Sequence, residues 1–100
     1  MTHRWTFLTN HAQVFLSVTE SPHNTAREIA SRVGITERAV QRILSDLEKD
    51  GYIQAFREGR NNRYSTDLDK PLRHPAQHGL PVRDLLQLIM QVETSQDDHA

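Results

Sequence analysis

Residues 25–64, TAREIASRVGITERAVQRILSDLEKDGYIQAFREGRNNRY, are punctuated so closely that few folds accommodate them. Thr25 followed three residues later by Glu28 is a capping box, in which each side chain satisfies the other's backbone N–H. It predicts a helix from Ala26. Gly34 marks a turn where a left-handed backbone angle is cheap only for glycine. Thr36 is an N-cap for a second helix, with Glu37 in its first turn favoured by the helix dipole. That helix runs to about Asp50 and stops at Gly51. Tyr52 to Arg57 and Arg63 to Thr66 read as strands around the turn Gly59-Arg60-Asn61-Asn62, since Gly and Asn tolerate positive φ.

The apolar residues supply one inward face at helical spacing: Ile29, Val33, Ile35, Ile43, Leu44 and Leu47. Ala30 is small enough to let the two helices approach, and Val40 faces the first helix from within the second. Two helices in close contact with a basic hairpin directly behind them form a helix-turn-helix with a wing. The expected class is mainly α with a small β-hairpin, an α+β winged helix-turn-helix with an additional C-terminal helix.

GITERAVQRILSDLEKDGYI followed by REGRNNRY resembles the winged helix-turn-helix of small prokaryotic transcription regulators, of the broad arsenic-repressor-like and MarR-like kind. WTFLTNHAQV before it and PLRHP after it resemble one subgroup of compact regulators of that kind. The resemblance covers roughly Trp5 to Ile89. It implies binding to double-stranded DNA and dimerisation.

At 100 residues the chain has enough material for one domain with one small core, which burial in a dimer would help to stabilise. Formal net charge is −1, yet the charge is unevenly placed. Residues 1–66 hold nine Lys and Arg against seven Asp and Glu, whereas residues 67–100 hold three against six. The basic half contains the helix-turn-helix and wing, so the balance disfavours tight non-specific binding but allows a local phosphate-binding face. The absence of cysteine removes disulfides, thiol redox sensing and thiolate metal sites. Thr2 to Thr9 lacks the apolar core of a signal peptide, and no apolar run is long enough to span a bilayer. A soluble cytoplasmic protein without a membrane partner is the expectation.

The expected layout is a single domain, 1–100, with the helix-turn-helix at 25–50 and the wing at 52–66. A proline-rich connector follows at 67–80, then a dimerisation helix at 81–92. Ahead of the motif, Thr9 is an N-cap for a helix from about Asn10 to Thr19, with Ala12, Phe15, Leu16 and Val18 as its apolar stripe. Pro71, Pro75 and Pro81 keep the connector out of regular structure. The last helix has apolar residues on more than one face, and the polar, acidic tail after Glu93 is expected to fray. Trp5, Phe7, Leu8, Val82, Leu85, Leu86, Ile89 and Met90 are therefore the expected dimer interface of a two-fold homodimer. For the amino-terminal aromatics the plainer reading is packing on the core.

The second helix of the motif carries Glu37, Arg38, Gln41, Arg42 and Ser45 opposite Val40, Leu44 and Leu47. Arginine pairs bidentately with guanine and glutamine with adenine, and in this fold the front of that helix enters the major groove. Arg57, Arg60 and Arg63, with Asn61 and Asn62, furnish a wing suited to phosphate or minor-groove contact. Thr25 and Thr36 offer a hydroxyl or N–H to phosphate at helix starts, and Arg27 and Arg32 are weaker candidates. The bland alternative is a solvated helix face and a polar hairpin tip.

His74 and His78 are four apart, but the surrounding prolines work against the helix that would align them, so no metal or other cofactor is expected. No glycine-rich phosphate loop or nucleophile motif is present, and an enzyme is not expected. The leading function is a sequence-specific regulator binding an inverted-repeat operator as a homodimer. The alternative is a winged-helix protein-interaction module, which would carry apolar or acidic residues where this chain has arginines. A small-molecule effector bound between the core and the connector is compatible with the first reading.

Overall fold

The structure, a computed structural model, describes residues 5–77 and 79–98, with side chains through Met90. It divides into two compact units, Met1–Thr66 and Asp67–Ala100. The first contains α1 (Asn10–Glu20), α2 (Ala26–Val33), α3 (Glu37–Lys49), β1 (Ile53–Glu58) and β2 (Asn61–Thr66). The second contains a single 3-10 turn, Pro75–Gln77, and α4 (Val82–Asp98). Three helices followed by a two-stranded antiparallel hairpin make the first unit a winged helix-turn-helix.

The helix starts fall where the capping residues put them. Thr9 Oγ1 accepts from Ala12 N at 3.1 Å and Thr36 Oγ1 from Ala39 N at 3.0 Å. Thr25 and Glu28 close the reciprocal box, with Thr25 N donating to Glu28 Oε1 at 2.8 Å and Glu28 N to Thr25 Oγ1 at 3.1 Å. Gly34 has φ +87, and a Cβ there would meet nothing, so the requirement for glycine is one of backbone angle rather than space. Its N–H and that of Ile35 both donate to Ala30 O, at 2.8 and 3.2 Å, which turns the chain from α2 into α3. At the far end of α3, Gly51 N bonds Glu48 O at 3.1 Å and Tyr52 N bonds Leu47 O at 2.8 Å. That pair of bonds is a Schellman closure with Tyr52 and Leu47 as its buried apolar contact.

The core of this unit is built from Val14, Val18, Ile29 and Val40, all fully buried, with Phe15, Ile43, Leu44, Leu47 and Ile53 around them. Phe15 and Tyr52 meet edge to face, their centroids 6.1 Å apart. Of the expected α1 stripe, Phe15 and Val18 are buried, but its centre is shifted. Val14, Ser17 and Val18 lie three and four apart on the buried face, while Ala12 and Leu16 are half-buried at its edge. Val33 and Ile35 flank the turn and are likewise half-buried.

The hairpin is tighter than the expected four-residue turn. Glu58 pairs with Asn61 and Arg57 with Asn62, leaving only Gly59 and Arg60 as the loop. Gly59, with φ +61, supplies the positive angle that both primed two-residue turns need first, so the asparagines are free to join β2. Tyr64 N also donates to Pro22 O at 3.1 Å, so the α1–α2 loop runs along β2 and ties the wing to the helices.

In the second unit the connector closes on itself. Pro71 and Pro81 form an antiparallel bridge, and Leu72 N bonds Leu80 O at 2.8 Å. Val82 N bonds Lys70 O at 2.8 Å and Arg83 N bonds Leu68 O at 2.9 Å. Arg83 Nη2 adds an ion pair to Asp69 Oδ1 at 2.8 Å. α4 continues to Asp98, past the expected end at Val92. A polar composition does not stop a helix, and after Gly79 and Pro81 the chain has no further glycine or proline. Among the described residues no helix is long and apolar enough to cross a membrane.

Candidate nucleic-acid interface

α3 separates its residues sharply. Val40, Ile43, Leu44 and Leu47 are buried, while Glu37, Arg38, Gln41, Arg42 and Ser45 are exposed. Among the described residues neither Arg38 nor Arg42 forms a salt bridge. The flank of the helix, in contrast, is tied down: His11 Nε2 on α1 donates to Asp46 Oδ2 at 2.9 Å. That hydrogen bond, helped by the positive charge of His11, Lys49 and Arg42 and opposed by slight desolvation, holds the Asp46 carboxyl below its ordinary value.

Between α3 and the wing lies a groove of about 400 Å³. Gln41, Ser45 and Glu48 form its α3 wall, and Thr25 and Ala26 its end at the start of α2. Arg60, Asn61, Asn62 and Tyr64 form the wing wall, with Asn24, Leu44 and Ala55 completing the lining. A sugar-phosphate backbone suits such a surface, which offers amides and hydroxyls to donate, one cation and a helix N-terminus. The Thr25 and Thr36 hydroxyls accept backbone N–H bonds at their caps, which leaves each O–H available as a donor. Glu48 is the one carboxylate in the lining. Asn24 and Tyr64 were not among the expected site residues; the Tyr64–Pro22 bond and the His23–Glu58 contact, both long-range, bring that loop beside the wing.

The three wing arginines are in different situations. Arg60 sits in the loop and lines the groove. Arg57 folds back, its Nε donating to Gly59 O at 3.2 Å. Arg63 lies opposite Phe56 and bonds Glu58 Oε2 through Nε at 3.1 Å. Neither Arg57 nor Arg63 lines the groove. On the helices, Arg32 is paired with Glu20, whereas Arg27 is exposed.

The residues expected at a dimer interface also divide. Trp5 and Phe7 are 71% and 93% exposed and stack edge to face at 5.1 Å. Leu8, Leu85 and Ile89 are half-buried, and Leu88 and Met90 are exposed. Val82 and Leu86 are already buried in the single chain and have no surface left to offer. His74 Nδ1 accepts from Ala76 N at 3.0 Å, and His78 lies outside the described residues. Among the described residues there is no cluster of three or more His, Asp or Glu that would hold a metal ion.

A winged helix-turn-helix with an exposed, arginine-bearing second helix is the architecture of DNA-binding domains. Residues 16–54 match the winged helix-turn-helix DNA-binding family, which is defined by binding and not by a reaction. The match covers the second half of α1, the helix-turn-helix and the start of β1. Among solved structures the chain is similar to MepR, a transcription regulator of the Staphylococcus aureus multidrug efflux pump MepA, at 16% identity and TM-score 0.55, covering 88% of this chain and 64% of that one. ZitR of Lactococcus lactis aligns at 18% identity and TM-score 0.56, over 97% of this chain and 64% of that one. The M. tuberculosis transcriptional regulator MosR aligns at 19% identity and TM-score 0.53, over 90% and 63%. At these identities the likeness is one of fold, and the chain spans just under two thirds of the length of each. No curated protein matches the chain.

Proposed function

We propose that this protein is a sequence-specific transcriptional regulator of double-stranded DNA, prokaryotic and cytoplasmic, acting as a homodimer on an inverted-repeat operator. One observation carries the reading: Arg38 and Arg42 stand unpaired on the exposed face of α3, beside a groove closed by Arg60, Asn61 and Asn62. Glu37, Arg38, Gln41 and Arg42 read base edges in the major groove, and Ser45, Thr25, Thr36 and the wing tip bind the phosphate strand. A protein-interaction scaffold would tend to carry apolar or acidic residues on that face, where this chain has Arg38 and Arg42.

The homodimer draws its support from apolar side chains that the single chain leaves exposed, Trp5, Phe7, Leu88 and Met90, with Leu85 and Ile89 half-buried beside them on α4. A two-fold pairing would bury them and present two α3 helices about 34–36 Å apart, one turn of DNA. The experiment is selection of duplexes by the protein from a random-sequence pool. Enriched inverted repeats with half-sites one turn apart are expected; enrichment of single unpaired half-sites would remove the dimer, and no enrichment would remove DNA reading altogether.

A further inference from the structure

Arg63 is held more firmly than an arginine on a solvated hairpin. Strand pairing puts it opposite Phe56, on the face of the wing away from Ala55 and Tyr64. Its guanidinium carbon lies over the Phe56 ring, 5.0 Å from the centroid. Its Nε donates to Glu58 Oε2 at 3.1 Å. The other oxygen of that carboxylate, Oε1, lies 3.2 Å from His23 Nε2 in the α1–α2 loop. The ring and the Glu58 carboxylate therefore hold the guanidinium from two sides, and Glu58 is itself anchored to the α1–α2 loop through His23. Only Nε is engaged: among the described residues no acceptor takes either terminal nitrogen. Phe56 remains 38% exposed, so burial alone gives little reason for an aromatic ring there.

We propose that Phe56 and Glu58 are positioning residues that hold Arg63 as a pre-oriented fork for a DNA phosphate on the outer side of the wing. The contact is separate from that of Arg60, and it rests on the DNA-binding reading given above. A planar guanidinium offering two adjacent N–H groups matches a phosphate bidentately. Rotamer freedom that a loose arginine gives up on binding is already lost here, so more of the interaction appears as affinity. The wing then straddles the phosphate strand, with Arg60 on the groove side and Arg63 on the other.

The test uses the full chain and a fluorescein-labelled duplex taken from the wild-type selection. Binding is titrated by anisotropy well below each variant's thermal midpoint. Phe56→Leu is expected to weaken binding about two- to fivefold, the scale of an exposed cation–π contact. Phe56→Tyr keeps the ring and should restore wild-type affinity. In an Arg63→Ala background, which is itself weakened, Phe56→Leu should cost nothing further. Wild-type affinity in Phe56→Leu, failure of Phe56→Tyr to restore it, or an undiminished Phe56→Leu effect without Arg63 would each overturn the proposal. If the wild type enriches no duplex, the DNA-binding reading falls and takes this one with it. Enrichment with Arg63→Ala unimpaired sinks this inference alone.

Discussion

α3 and the wing carry similar numbers of arginines and use them in different ways. On α3 the nearest same-face neighbour of Arg38 is Arg42, a like charge one turn away; Arg42 feels the charge of Asp46 a turn further on, and among the described residues neither arginine forms a salt bridge. On the hairpin each residue faces a cross-strand partner about 5 Å away. Arg63 finds Phe56 and Glu58 there and Arg57 reaches the turn carbonyl, while Arg60 at the loop has no hydrogen-bond or ion-pair partner among the described residues. A count of positive charges therefore says little about how a hairpin holds each of its arginines, whereas on a helix face it describes them fairly.

That contrast can be broken most directly on α3. Arg38→Ala and Arg42→Ala should each weaken operator binding by about 1–3 kcal/mol if they pair with bases. Titration of both variants against the selected duplex is the check, and wild-type affinity in both would put the readout elsewhere. The placement of α3 depends on the turn before it. Gly34→Ala forces a Cβ into the left-handed region and should cost about 1–2 kcal/mol of stability, read by urea unfolding. A smaller effect sharpens the division within the wing. Arg60→Ala should lower the slope of log affinity against log salt by about one unit, while Arg57→Ala leaves it nearly unchanged. Equal slopes for the two variants would mean that the bond to Gly59 O does not withhold Arg57.

The smallest effect belongs to the tie between α1 and α3. The Asp46 carboxyl is depressed in the folded protein, so the folded state favours its ionised form. Its contribution is present above the ordinary value of 3.8 and is lost as pH falls through the lower, folded value. Asp46→Asn should melt slightly below wild type near neutral pH, and the gap should close in acid. His11→Ala should return the Asp46 titration, followed by NMR, toward 3.8.

The helical part of this architecture was readable because its signals are local. Thr25 with Glu28, Gly34, Thr36 and Gly51 each act on backbone groups within four or five residues, and all four boundaries stand where they indicate. The hairpin was legible as an element but not in its pairing. Two asparagines beside Gly59 satisfy turn chemistry as well as they satisfy a strand, and the register was decided by Glu58 meeting Asn61. The groove was half legible: Gln41 and Ser45 follow from helical periodicity, Thr25 from its cap and Arg60, Asn61 and Asn62 from the hairpin, whereas Asn24 and Tyr64 meet across forty residues of chain through the Tyr64–Pro22 bond and the His23–Glu58 contact. Val14 was hidden because α1 has apolar residues on nearly all sides, so the sequence does not say which stripe faces inward. Ser17, 2% exposed with no hydrogen-bond partner for its Oγ, is a residue that no pattern of hydrophobicity would have put in a core.

The closed connector has a practical consequence for handling the protein. Its neck is fastened by the Pro71–Pro81 bridge and the Leu72–Leu80 bond, so the ends of the loop are held together whatever its tip contains. Extra residues inserted after Ala76 would enlarge an exposed loop without stretching the chain on either side. Doubling such a loop costs only about 0.6 kcal/mol in closure entropy. An epitope or a cysteine for a fluorophore could be carried there, in a different compact unit of the chain from α3 and the wing.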